Sequence, residues 1–195
     1  MPRMRIALKM VHCYNTEDVT GGDEFFFVGV ATDGETTQPI LTRPQNVKND
    51  KNIMPTLFDG KGMVFDAEVP EDRVVRLALA AFDDDANTDW SNHGDVAARI
   101  GGAVSGALKA IPNPYTAAAG MLLPFAIAGV GEVMKLDEVD ELGRLSAEFP
   151  VAGLPQDEPA AQTWLFRGGS GWFSSWRYRL DYAVLRGRHP RWDRF

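Results

Sequence analysis

Short runs of alternating apolar and polar residues, separated by turn residues, fill most of the chain and predict strands. In residues 4–12, Ile6, Leu8, Met10 and His12 alternate with Arg5, Ala7, Lys9 and Val11. A polar loop, CYNTEDVTGGDE, leads into a second strand, FFFVGVAT, rich in aromatic and β-branched residues. Asp33-Gly34 is a turn signal before a short strand over 37–41, and the polar stretch 42–62, with Asn46, Asn49, Asp50 and Asn52, predicts a long loop. Residues 63–69 alternate again. Residues 70–72 then turn the chain into a strand from Val74, whose segment from Arg76 to Phe82 is apolar enough for burial on at least one face. Strand-like sequence returns at 144–151, 163–167 and 176–185, the last with Trp176, Tyr178, Leu180, Tyr182 and Val184 on one face.

Between these two groups of strands the period changes. Val96, Ile100, Val104, Leu108 and Ile111 recur at helical spacing, with Ser91 or Asn92 available as N-cap and Pro112-Asn113-Pro114 as a stop. Residues 116–135 form a second helical stretch, apolar almost all round, which predicts burial on every side and a kink at Pro124. The expected fold is a mainly β, antiparallel sandwich of about seven or eight strands. The sandwich occupies 1–90 and 136–186, a helical hairpin is inserted at 91–135, and 187–195 form a basic tail.

Composition fits one domain with its own core: 195 residues, 45% hydrophobic and 24% charged. The formal net charge of -7 argues against nucleic-acid binding, because no basic face of the needed density is visible. Cys13 is alone, which excludes an intramolecular disulfide and favours a reducing compartment. The opening MPRMRIALKMVH lacks the apolar core of a secretory signal, so the expected location is the cytoplasm, or outside the cell by a route without a cleaved signal.

Charge matters most where it is concentrated. Asp83, Asp84, Asp85 and Asp89 follow the apolar run from Val74, and no Lys or Arg occurs between Arg76 and Arg99 to neutralise them. The first loop adds Glu17, Asp18, Asp23 and Glu24, and LDEVDELG adds Asp137, Glu138, Asp140 and Glu141 just before a strand. Carboxylates at this density repel one another. If strand order brings these ends together, a calcium ion, which takes about six to eight oxygen ligands from flexible loops, offsets that charge. The competing reading is that Asp and Asn simply favour solvated turns and helix caps, the role expected of Asp89 and Asp95.

With these motifs in place, the chain resembles the C-two domain, the calcium- and phospholipid-binding β-sandwich found in synaptotagmin and protein kinase C. Asp18 and the Asp23-Glu24-Phe25-Phe26 run look like the family's first acidic loop, and Asp83 and Asp85 like its second. Asp140-Glu141-Leu142-Gly143 is loosely similar to the close of that loop. The resemblance implies calcium ligands at Asp18, Asp23, Asp83, Asp85 and Asp140, with Glu17, Glu24, Asp84, Asp137 and Glu138 as second choices. It departs from the family in the inserted hairpin and in the lack of Pro after Asp18.

The remaining features point away from catalysis. Trp172 stands where a nucleophile elbow around Ser170 needs Gly, and His12, His93 and His189 lie in unrelated contexts. The expected role is a non-catalytic module that meets a protein partner, a second copy of itself or a membrane surface. Trp172 and Phe173 sit at an expected hairpin tip, and Gly102, Gly106, Gly120 and Gly129 would permit close helix packing. A hairpin that leaves the core to act on membranes, and a metal-independent assembly protein, are the alternatives.

Overall fold

The computed structural model describes residues 1–16, 23–84, 90–130, 139–170 and 174–187. Two antiparallel sheets face each other, and the helical hairpin covers the outer side of one of them. The long strands are β1 (Arg3–Asn15), β2 (Asp23–Thr32), β7 (Val74–Asp84), β8 (Val139–Pro150), β9 (Pro159–Ser170) and β10 (Ser174–Arg186). The shorter ones are β3 (Thr37–Leu41), β4 (Gln45–Val47), β5 (Lys51–Ile53) and β6 (Met63–Glu68). The first sheet has the order β5-β1-β10-β9, with β6 also paired to β1; the second has the order β3-β2-β7-β8, with β4 also paired to β2.

This three-layer arrangement explains the continuous apolar runs in β2 and β7. Side chains alternate across a strand, so Phe25, Phe27, Leu77, Leu79 and Ala81 enter the core between the sheets. Phe26, Val28, Val30, Ala78, Ala80 and Phe82 face the helices instead. The hairpin consists of α1 (His93–Ala110) and α2 (Ala119–Val130), and α1 presents Val96, Ile100, Val104 and Leu108 to that second core. The helices cross tightly at one glycine: a Cβ on Gly129 would lie 2.6 Å from the Ile100 Cα. Gly102 and Gly106 face open space, so of the small residues expected to aid helix packing only Gly129 meets the other helix.

Several expectations are corrected. A bulge between Leu8 and Met10 shifts the phase of β1, so the buried side continues with Val11 and Cys13, whereas His12 turns outward to hydrogen-bond Asn52. The stretch 42–62 is not all loop, because β4 pairs with β2 and β5 pairs with β1 through three-residue segments too short to show a period. β8 begins at Val139, which places Asp140 and Glu141 inside a strand and not in the loop before it. The second helix is buried on one side only: Leu122, Leu123 and Ala126 pack inward, while Met121 and Phe125 are 57% and 46% exposed. No helix among the described residues is long and apolar enough to cross a membrane.

The insertion is tied down near both ends of β7. At one end the Trp90 indole Nε1 donates to Asp84 Oδ2 at 3.2 Å, and its ring meets Phe26 edge-on with centroids 5.1 Å apart. At the other, the buried Arg76 donates from Nη2 to the Tyr115 carbonyl at 2.5 Å and pairs with Glu148 at 3.6 Å. Glu148 Oε1 in turn accepts the Ala119 N–H at 3.2 Å, satisfying a free donor at the start of α2.

Candidate metal centre

Two strands carry the acids to one end of the second sheet. Along β7 the apolar run ends in Asp83 and Asp84, each only 2% exposed. Asp83 lies opposite Phe25 on the β2 side and opposite Asp140 on the β8 side. Asp23 begins β2, two residues before Phe25, so its backbone belongs to the same sheet end. Asp140 is exposed to solvent. Asp18 and Asp85, like the second choices Glu17, Asp137 and Glu138, lie outside the described residues, as does the side chain of Asp23.

The register fixes which acids share a face. Residues directly opposite on paired strands point the same way, so Asp83 and Asp140 form a like-charge cross-strand pair on the side of the sheet that faces the other sheet. Asp84 points to the helical side, where Trp90 meets it. Glu24 pairs in register with Asn46 on β4, on the side of β2 that also carries Phe26. Burial of Asp83 and Asp84 contradicts the picture of freely solvated turn residues; each residue interacts with neighbouring groups.

A second bulge, between Ala81 and Phe82, shapes the β8 side of the site. It inserts Leu142 into the core and leaves its carbonyl to accept the Trp176 Nε1 donor at 2.9 Å, which ties the two sheets together beside the acids. Glu141 is bound by Arg144 through two hydrogen bonds of 2.6 and 2.8 Å. That carboxylate raises the Arg144 pKa and is taken up in doing so. Neither role is visible in the order of residues, since both depend on the two-for-one count opposite Phe82.

Among the described residues, no group of three His, Cys, Asp or Glu side chains stands close enough to hold a metal ion. Of the five first-choice ligands, Asp83 and Asp140 are the two whose side chains are described, and two carboxylates leave most of a calcium shell unfilled. The first loop, of which 17–22 are not described, runs between β1 and β2. Its start is fixed where the Thr16 N–H donates to Asn49 Oδ1 at 2.7 Å. The described pairing of β9 with β10 ends with Ser170 opposite Ser174; Trp172 and Phe173, expected at a hairpin tip, lie outside the described residues.

No family model matches the chain, and no curated protein matches it significantly. Among solved structures it is similar to human GIVD cytosolic phospholipase A2 in complex with methyl gamma-linolenyl fluorophosphonate inhibitor and terbium chloride, at 7% identity and a TM-score of 0.46. That alignment covers 97% of this chain and 18% of the phospholipase. The C-two-A domain of plant extended synaptotagmin 1 aligns at 10% identity and a TM-score of 0.39, covering 95% of this chain and 94% of that domain.

Proposed function

We propose that the chain is a non-catalytic binding module whose acidic sheet end takes a calcium ion, with Asp18, Asp23, Asp83, Asp85 and Asp140 as ligands. The observation that carries this reading is the direct pairing of Asp83 with Asp140, at the end of the sheet where β2 begins with Asp23. Like charges directly opposite destabilise a sheet, and burial of Asp83 increases that cost. A divalent cation offsets both effects. The acid spacing that resembles the C-two domain supports the same reading, and by that likeness the occupied end would engage a protein partner or a membrane surface.

The test is thermal unfolding with calcium and with chelator. Calcium raises the melting temperature in proportion to occupancy, and Asp83→Asn combined with Asp85→Asn removes the rise. A second reading, a metal-independent assembly module, draws on the use of Asp84 to hold Trp90 and of Glu141 to hold Arg144. Under that reading the melting temperature is indifferent to chelator.

A further inference from the structure

Every open sheet ends in strands whose outer backbone groups invite pairing, and most proteins protect such edges with short length, charge, proline, bulges or a covering element. Five edges here have that protection. β3 carries Pro39 and lies against α1, β4 and β5 are three residues long, β6 carries Asp66 and Glu68 with the Asp66 backbone bound by Gln38, and β8 has a bulge together with the charged Asp140, Glu141, Arg144 and Glu148. β9 has little. Its twelve residues pair with β10 without a register break, from Pro159 opposite Leu185 to Ser170 opposite Ser174. Arg167 is its one charged residue, and among the described residues no backbone group outside β10 hydrogen-bonds to it.

A second observation concerns charge. On the outward face of the same sheet Arg167 stands directly opposite Arg177, and Arg179 follows two residues along β10, opposite the half-exposed Leu165. The Arg177 guanidinium lies 4.7 Å above the Tyr14 ring, and Arg179 Nη1 donates to the Tyr14 hydroxyl at 3.1 Å. Arg179 also pairs with Asp181 at 3.2 Å. Among the described residues no carboxylate pairs with Arg167 or Arg177. Arg167 and Arg177, opposite in register on a protein of net charge -7, thus put two positive charges on this face with which no described carboxylate pairs.

We propose that the free edge of β9 is a docking site for an extended acidic segment of a protein partner, which adds to the sheet as a further strand. Main-chain hydrogen bonds to β9 hold the segment, and its outward carboxylates meet Arg167 and Arg177, for which guanidinium–carboxylate geometry is well suited. The docking edge belongs to the first sheet and the paired acids to the second, and the docking needs no calcium.

The probe is a ten-residue peptide alternating Glu with Val, compared with its Lys counterpart, titrated with chelator present. The Glu peptide binds with an affinity that falls steeply with salt, the Lys peptide does not bind, and alternate amides from Ala161 to Arg167 gain protection from hydrogen exchange. Arg167→Glu with Arg177→Glu weakens binding at least tenfold while the melting temperature stays within a few degrees. Absence of binding, binding indifferent to the double variant, or binding that leaves β9 amides unprotected overturns the proposal. So does protection of β9 through self-association without peptide, or adsorption to anionic vesicles that the double variant abolishes while peptide binding is absent.

Discussion

Asp83 and Asp140 face each other across the β7–β8 ladder, one buried and one exposed. Replacing Asp140 by Asn removes one charge without changing shape. In chelator, Asp140→Asn is expected to stabilise the fold by up to about 1 kcal/mol, because the like-charge contact disappears. In saturating calcium the same variant is expected to be less stable than the parent. Urea unfolding under both conditions measures the reversal of sign.

The joint between the helices and the second sheet gives a paired prediction. A methyl group at Gly129 collides with the Ile100 backbone, so Gly129→Ala is expected to destabilise by about 1–3 kcal/mol through overpacking. Gly102 lies in the same hairpin with nothing within reach of an added Cβ. Gly102→Ala is therefore expected to stabilise by about 0.5–1 kcal/mol, the ordinary helix gain. Denaturant midpoints of the two variants should move in opposite directions.

The ties of the insertion are separable from its apolar packing. Trp90→Phe keeps an aromatic ring against Phe26 but removes the donor to the buried Asp84, at an expected cost of about 1–3 kcal/mol. Arg76→Met strips the Tyr115 carbonyl and Glu148 of their partner at the other end. In hydrogen exchange, Arg76→Met should loosen the start of α2 more than the start of α1, and Trp90→Phe the reverse.

Lys9 gives a pH dependence. It sits at the β1 bulge, where burial lowers its pKa to about 8. Because the folded pKa is below the unfolded value of 10.5, holding the charged form disfavours folding at pH values under about 8. That penalty is relieved as pH rises towards 10.5, where the unfolded chain also loses its proton. Lys9→Met should be more stable than the parent at neutral pH, by less than about 1 kcal/mol after solvent screening, and the difference should shrink over that range. Chemical denaturation at a series of pH values reads it.

How far the chain can be read without coordinates depends on period and length. β2 and β7 are legible because each is buried on both faces, between the other sheet and the helices, and so is apolar at nearly every position. The hairpin is legible from Val96, Ile100, Val104 and Leu108, with Pro112-Asn113-Pro114 marking its break. A single added residue after Leu8 and another at Leu142 are not, since a bulge leaves no mark on composition while reversing the facing of every later residue in its strand. The outer side of α2 departs from expectation for a different reason: Met121 and Phe125 are apolar yet exposed, so an all-round apolar pattern does not mean all-round burial. Of the candidate site, the grouping of Asp83 and Asp140 at one sheet end accords with their position beside strand-like runs. That Asp84 serves Trp90 and Glu141 serves Arg144 emerges only from the register.

Calorimetric titration of calcium into the chelator-stripped protein tests the central claim most directly. Saturable binding that Asp83→Asn and Asp140→Asn each weaken at least tenfold, while the β9 variant Arg167→Glu leaves it unchanged, is the expected result. A flat titration for a protein that is folded by circular dichroism would contradict it.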